Sequence, residues 1–244
     1  MKKNYKLREG NLNREKLPAY TWDKFKLIMD NVPSNLLKRT RLTKSKVLQL
    51  YSFYCLLALT CSRPNELLKF STGDLQFVKF QDKTFAIITL RNSKYKRYFK
   101  KKLFNGERLI VKRLKQDDKA IKRIPINLDN KENHFLIRPI IDYITIVKEN
   151  YTQLSDIPLF TGLNRFKLWW YFLKATGQSD KDFKTIGLNI YAIKHIAIQH
   201  LVVDKNVDQK IMENIVGHRD SNYLKFYYNL QVNDILKELD RKGA

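Results

Sequence analysis

The chain has 244 residues, of which 43% are hydrophobic and 29% charged, and its formal net charge is +23. This apolar content supplies a genuine hydrophobic core, which excludes a disordered tail, and the length suits one large domain. The positive surplus favours a polyanionic partner, most commonly nucleic acid, although ribosomal and membrane-surface proteins carry similar charge.

The amino-terminal third is predicted to be helical after a polar start. Residues 1–16 are basic and polar and are expected to form a flexible arm. Thr21 and Thr43 are each suited to cap the start of a helix. Apolar residues recur at helical spacing over 47–61, which predicts a helix with one broad buried face. That helix should end near the sequence SRP, and a short helix should follow in NELLKF.

Residues 74–126 have the character of short strands. The runs FVKF, TFAIITL, RLIVKRL and IKRIPI are β-branched or alternating and are separated by charged turns, which predicts a small antiparallel sheet. Within this region, residues 83–123 hold 15 lysines and arginines against three acidic residues, with aromatic residues interleaved. Such a charge run is usually a solvated face, but it also suits contacts with phosphates.

From His134 onward the pattern is helical again. Four segments show helical periodicity: LIRPIIDYITIVKENY, FKLWWYFLKATG, NIYAIKHIAIQHLVV and QKIMENIVG. A last tyrosine-rich helix is predicted in SNYLKFYYNL. The predicted fold class is therefore α+β and mainly α-helical, with one domain over residues 17–230 and a polar tail over 231–244.

Neither a secretory signal nor a membrane span is predicted. The first residues lack an apolar segment with a cleavage site, and the apolar run 47–61 is too short and too polar to cross a bilayer. Cys55 and Cys61 lie in that run, which is typical of buried free thiols in a reducing compartment. The sequence has no Cys/His cluster of the kind that binds zinc. We expect an intracellular, soluble protein without a membrane partner.

Two segments in the helical regions contain residues that could carry chemistry. Arg63 stands at a helix–turn junction, where its planar fork suits a phosphate, and Glu66 is the alternative partner in a surface pair. Tyr191 and Lys194 are three residues apart and share a helix face, with His195 next to them. Taken singly, each of these residues has an ordinary structural explanation.

A histidine and a tyrosine near the carboxyl end form a further candidate pair. His218 follows a glycine at a predicted helix end, and Tyr227 lies nine residues after it in the tyrosine-rich helix. A stripe of tyrosine, phenylalanine and leucine at helical spacing is more often core than catalytic. The order and the spacing of the candidates are more specific than any one of them.

Taken in order, these residues resemble the catalytic domain of the tyrosine recombinase, or phage integrase, family. ALTCSRPNELLKF is similar to the family's T-G-x-R-x-x-E-L, YAIKH to its H-x-x-R-H, and VGH to its L-G-H. The nucleophilic tyrosine of the family lies about nine residues after the last of these histidines, which indicates Tyr227 rather than Tyr228. The separation of Lys194 from His218 also fits, and the resemblance spans residues 20–230.

The resemblance implies an integrase-like catalytic domain with a small antiparallel sheet on one edge, which cuts and rejoins duplex DNA. A tyrosine would attack the scissile phosphorus and form a 3′-phosphotyrosyl link, while cationic side chains stabilise the transition state. No ATP, metal or other cofactor would be needed. Besides a hairpin lysine, the implied catalytic residues are Arg63, Lys194, His218 and Tyr227, supported by Glu66, Tyr191 and His195.

The general acid of the family is a lysine in a β-hairpin, and two residues fit that position. Counting forward from Arg63 gives Lys94, and counting back from the strand that ends in IPIN gives Lys115. The sheet carries an insertion relative to the family, and of the two lysines we prefer Lys94. Basic residues of the same region are expected to contact DNA phosphates, namely Lys96, Arg97, Lys100 and Lys119.

Two departures from the family motifs matter for catalysis. Lys194 stands where the family has arginine, and Tyr191 stands where it has histidine. Lysine keeps the charge but loses the bidentate fork, which favours DNA binding over efficient cutting. Family members also carry a DNA-clamping helical domain before the catalytic one. Either this chain is a fragment, or the clamp is supplied by another protein, or it is absent.

The resemblance also implies an assembly and leaves alternatives open. Family members act as tetramers on DNA, so a homo-oligomer is expected, with the tail 231–244 docking on a neighbouring copy. A catalytically inactive DNA-binding protein on the same fold is the main alternative. A type IB topoisomerase is close in chemistry. A basic RNA-binding or ribosome-associated protein fits the charge but leaves the motif order unexplained.

Overall fold

Helices dominate the computed structural model, which describes residues 21–91, 98–102, 108–112, 121–150, 156–177 and 189–216. For residues 91, 98–102 and 108–112 only the backbone is described. The helices in these ranges, in chain order, are α1 (Trp22–Arg39), α2 (Lys44–Thr60), α3 (Pro64–Leu67), α4 (His134–Asn150), α5 (Arg165–Ala175), α6 (Ile190–Gln199) and α7 (Gln209–Val216).

The strands of the described residues form two antiparallel sheets. In chain order they are β1 (Leu75–Phe80), β2 (Lys83–Arg91), β3 (Tyr98–Lys102), β4 (Arg108–Lys112) and β5 (Ile121–Asn127). The main sheet has the order β1-β2-β5, and β3 pairs with β4. The prediction that RLIVKRL joins the same sheet as its neighbours is wrong: β4, which comes from this run, pairs with β3 in a hairpin inserted between β2 and β5.

Helix starts follow the predicted caps. The Thr21 hydroxyl accepts a hydrogen bond from the Lys24 N–H at 3.3 Å, and Thr43 does the same for Lys46 at 3.3 Å. Each hydroxyl satisfies one of the backbone donors that the first turn of a helix leaves unpaired. Thr21 and Thr43 therefore begin α1 and α2, as the sequence indicated.

Helix α2 is the centre of the core and is buried more completely than its periodicity predicted. The sequence indicated one broad apolar face, but residues on every side of the helix are withdrawn from solvent, including the polar Gln49 and Ser52. The reason is that α1, α4 and α6 all pack against it. The Gln49 side-chain amide donates to the Leu159 carbonyl and the Ser52 hydroxyl to that of Pro139, so these two buried donors are paired.

The carboxyl end of α6 is joined to the start of α1. The helix continues as one π-helical turn, His200–Asp204. The buried His200 ring stacks on Trp22 at 4.1 Å between centroids, and its Nδ1 lies 2.6 Å from an Asp204 oxygen. These contacts fix the first turn of α1 against the helix that carries Lys194.

The described architecture confirms the predicted fold class, α+β and mainly helical with a small antiparallel sheet. No helix in the described part of the chain has both the length and the hydropathy needed to cross a membrane.

Candidate functional site

The junction between α2 and α3 presents Arg63. Helix α2 ends at Thr60, and Cys61 takes a left-handed conformation with φ of 47° that turns the chain. The resembled family motif has glycine at this position, the residue that adopts positive φ without steric cost. Pro64 then occupies the first position of α3, where its fixed φ suits a helix start and its missing N–H is not needed.

Glu66 ties this junction together from inside. Its side chain is fully buried, and its Oε1 accepts a hydrogen bond from Arg63 Nη1 at 3.1 Å. Its Oε2 accepts from the Arg63 backbone N–H, also at 3.1 Å. The sequence offered a surface pair as the alternative for these two residues. The pair exists, but its carboxylate lies in the interior and its guanidinium retains 18% exposure.

A residue that the sequence analysis missed completes the carboxylate's partners. Lys122 of β5 donates to Glu66 Oε2 at 2.9 Å, and its side chain is only 2% exposed. A readable signal was present: Lys122, Ile124 and Ile126 alternate along β5 and all face the interior. A lysine in phase with buried apolar residues on a strand indicates an internal charge with a partner.

Lys194 of α6 brings a third cation to this cluster. It is 5% exposed, and among the described residues its Nζ has no hydrogen-bond partner. Burial, followed by repulsion from Arg63 and Lys122, lowers the pKa of Lys194 to about 7, although Glu66 acts in the opposite direction. A buried ammonium with no hydrogen-bond partner is costly, so the neutral form is favoured until an anion arrives.

The surroundings favour the charged form of Glu66, whereas they favour the neutral form of Lys194. Burial acts to raise the pKa of its carboxyl, but Lys122, the Arg63 backbone N–H and Lys194 outweigh burial and hold the pKa below its ordinary value. Glu66 is therefore ionised at neutral pH. Nearby, burial raises the pKa of the Cys61 thiol to about 12, so this cysteine stays a neutral thiol. We call Arg63, Glu66, Lys122 and Lys194 the cation cluster.

The other predicted residues of α6 lie near its start. Tyr191 is half-buried, and the Arg165 guanidinium lies 5.7 Å from the centre of its ring. The Asn189 side chain caps the helix by accepting from the Tyr191 N–H at 2.9 Å. His195 follows Lys194 directly and is partly exposed. The structure thus brings Arg63, Glu66 and Lys194 together.

The remaining predicted site residues are not tested. Lys100 belongs to β3, of which only the backbone is described. The others lie outside the described residues, namely Lys94, Lys96, Arg97, Lys115, Lys119, His218 and Tyr227.

The cation cluster has the chemistry of an anion site. Protonated Lys194 makes three cations against one carboxylate, and within the described part of the chain its ammonium donors have no acceptor. An oxyanion such as a phosphate would supply the missing acceptor and the missing charge. In the described ranges, no three His, Cys, Asp or Glu side chains are grouped to hold a metal ion.

Of the known proteins compared with this chain, those that match it are solved structures. No family model matches the chain, and no curated protein matches it. The XerH site-specific recombinase bound to difH substrate, in its pre-cleavage complex, aligns with a TM-score of 0.54 and 12% identity, over 89% of this chain and 51% of that chain. Its post-cleavage complex on palindromic difH gives 0.54 and 12%, over 89% and 52%.

A third solved structure is the Tn1549 transposon integrase in complex with transposon right end DNA. It aligns with a TM-score of 0.48 and 15% identity, over 92% of this chain and 66% of that chain. Against the two XerH structures, the chain spans about half the length of the protein it matches. At these identities the XerH likeness shows a shared fold, and it agrees with the predicted integrase-like architecture.

Proposed function

We propose that this chain is the catalytic region of a tyrosine recombinase, which cuts and rejoins duplex DNA at a specific site. The observation that carries the proposal is the cation cluster, in which Arg63 contacts Glu66 and the buried Lys194, unpartnered among the described residues, interacts with both through charge. The cluster lies on a fold shared with a recombinase solved on its DNA substrate. The net charge of +23 suits a phosphate backbone as partner.

The proposed reaction is a transesterification. The Tyr227 hydroxyl releases its proton to a neighbouring base or to water and attacks the scissile phosphorus, a 3′-phosphotyrosyl bond forms, and the bond from phosphorus to the 5′-oxygen breaks. Lys94, or Lys115 in its place, gives the leaving oxygen its proton. Arg63, Lys194 and His218 donate to the non-bridging oxygens, whose charge grows in the transition state. The phosphotyrosyl bond conserves the energy of the phosphodiester, so a 5′-hydroxyl rejoins the strand without ATP.

Supporting roles are proposed for the remaining site residues. Tyr191 and His195 assist proton movement beside Lys194, while Glu66 orients Arg63. Four basic residues of the inserted segment contact DNA phosphates, namely Lys96, Arg97, Lys100 and Lys119. The chain acts as a tetramer on DNA, with residues 231–244 docking on a neighbouring copy.

A suicide substrate tests the reaction. A binding site is first selected from a random pool of duplexes, and a duplex of that site is nicked so that cleavage releases a short fragment and traps the covalent link. The wild-type chain should form an adduct that resists denaturing electrophoresis. Tyr227→Phe should form none, while the matched control Tyr228→Phe should retain it. Absence of an adduct with wild type, or its persistence in Tyr227→Phe, contradicts the proposal.

An inactive DNA-binding protein on the same fold is the second candidate. The observation that favours it is Lys194, which replaces the arginine of the family motif and whose pKa of about 7 leaves it partly neutral. This alternative expects salt-sensitive duplex binding, no adduct, and no gain of cleavage in Lys194→Arg. An adduct formed by the unmodified chain excludes it.

A further inference from the structure

We propose that Lys122 is a positioning residue for Lys194: it occupies the Glu66 carboxylate, so that the Lys194 ammonium is reserved for an oxygen of the bound phosphate. This inference rests on the proposed function and deepens it, because it assigns a role to a residue outside the recombinase motifs.

Three donors already surround the Glu66 carboxylate, and none of them is Lys194. Oε1 is engaged by Arg63 Nη1 at 3.1 Å. Oε2 takes two donors, Lys122 Nζ at 2.9 Å and the Arg63 backbone N–H at 3.1 Å. The charge of Glu66 acts on Lys194, but Lys194 Nζ makes no hydrogen bond to the carboxylate. Lys122 is thus the side chain whose removal would leave Oε2 with one donor, the Arg63 backbone N–H, and open a site on that oxygen for Lys194.

The charges around Lys194 give the same result. The groups that act on it come from three elements: Cys61 and Arg63 at the α2–α3 junction, Glu66 in α3, and Lys122 in β5. The Cys61 thiol is neutral, and the charge of Glu66 is offset by Arg63 and Lys122 together. Burial and two cations then lower the pKa of Lys194 to about 7.

A phosphate would reverse this balance. Its negative charge beside Lys194 favours the ammonium form, so the lysine takes up a proton as the anion binds. At pH slightly above 7, binding of duplex DNA is therefore coupled to proton uptake at Lys194. Arginine at the same position would remain charged in both states and would show no such coupling.

A purely structural role for Lys122 predicts something different. Replacing one member of a buried ion pair affects stability, and that effect alone says nothing about another lysine. The pKa of Lys194 distinguishes the two roles. Lys122 affects that pKa through its charge and through its hydrogen bond to Glu66 Oε2.

The first experiment measures that titration on the full chain without DNA. Lysines are labelled with ¹³C at Cε, and the Lys194 signal is assigned by its loss in Lys194→Arg. The wild-type midpoint should lie near 7. In Lys122→Met it should rise by about one unit or more, since a repelling charge is lost and an acceptor is freed. Lys122→Gln, which keeps an amide donor toward Glu66 but no charge, should raise it as well.

Lys122→Arg is the matched control, because it keeps the charge and should leave the midpoint near its wild-type value. A midpoint that does not rise in the folded neutral variants overturns the inference. Thermal melts of each variant report whether it folds, and Lys122→Gln provides the measurement if Lys122→Met does not.

The second experiment measures protons taken up with duplex DNA. Calorimetric titrations at pH 7.5 are run in two buffers of different ionisation enthalpy. The wild type should take up a larger fraction of a proton per duplex than Lys194→Arg. Equal proton uptake by the two proteins overturns the inference. DNA binding would be unaffected by that result, so the proposed function would stand. Failure of the suicide-substrate assay contradicts the proposed function and leaves the DNA-free titration of Lys194 valid.

Discussion

The Lys122 ammonium lies 2.9 Å from a carboxylate oxygen of Glu66, and both side chains are almost fully withdrawn from solvent. The pair joins β5 of the main sheet to α3 at the end of the central helix α2. A buried ion pair contributes little net stability, because desolvation offsets most of its attraction. Its importance is that it fixes where the charges of Arg63 and Lys194 lie.

Glu66→Gln should destabilise the fold strongly. The substitution leaves Arg63 and Lys122 without their buried counter-charge, and breaking such a pair costs about 3 to 5 kcal/mol in the free energy of unfolding. Urea denaturation at pH 7 measures this loss. The matched control is Glu149→Gln on the exposed face of α4, which should change stability by less than about 0.5 kcal/mol.

The same variant has a pH signature. Because the pKa of Glu66 is held below its ordinary value, its contribution is complete above that ordinary value and is lost as pH falls through the folded-state pKa. The stability difference between wild type and Glu66→Gln should therefore shrink in acid. A difference that stays constant from pH 7 down to the acid transition would contradict the assignment of Glu66 as the buried counter-charge.

The motif residues show what the sequence could predict about the site. Arg63, Glu66 and Lys194 were identified by order and spacing, and the fold brings them together. Lys122 was missed, because motif matching selects lysines near the hairpin turn, whereas this one is identified by its alternation with Ile124 and Ile126. Long-range pairing with Glu66 cannot be read from spacing along the chain.

Cys61 should tolerate glycine and resist β-branched residues. Its φ of 47° lies in the left-handed region, which is accessible to glycine and strained for valine. Cys61→Gly should stay within about 1 kcal/mol of wild type, since relief of strain offsets the lost thiol packing. Cys61→Val should lose clearly more stability than Cys55→Val, its counterpart inside α2, where the backbone is helical. Equal losses in thermal melts would contradict this account.

Trp22→Ala should destabilise the fold, because it removes the ring contact between the start of α1 and the π-helical turn that follows α6. The indole is 7% exposed and stacks on the buried His200 ring with an interplanar angle of 2°. Truncating a buried tryptophan costs about 3 to 5 kcal/mol. Trp170→Ala in α5, where the ring is 45% exposed, is the matched control and should cost far less. Chemical denaturation compares the two, and similar losses would show that the stacked pair does not anchor α1.

The fold was more predictable than its sheet connections. Helical periodicity and the threonine caps predicted the helices, since both are local signals. The pairing of β2 with β5 across residues 92–120 was not predictable in the same way. Each run in this region has strand character, and which runs pair depends on contacts distant in sequence, so β4 was assigned to the wrong sheet.

Lys194→Met should make the protein more stable at neutral pH. The lysine is buried with no hydrogen-bond partner in the described ranges, and burial with two neighbouring cations lowers its pKa to about 7, below its ordinary value of 10.5. Between these values the unfolded chain binds more protons than the folded one. The contribution of Lys194 to stability therefore rises with pH across this window, by at most about 1.4 kcal/mol per pH unit.

Methionine has a similar length and carries no proton, so Lys194→Met removes that pH dependence. The variant should exceed wild type in unfolding free energy at pH 7, and the gap should narrow as pH approaches 10. Denaturant unfolding of both proteins over pH 7 to 10 measures the difference, in which titrating groups distant from Lys194 cancel. A gap that is independent of pH would mean that Lys194 keeps its ordinary pKa. It would then have an anionic partner in the folded chain and would not be reserved for a phosphate.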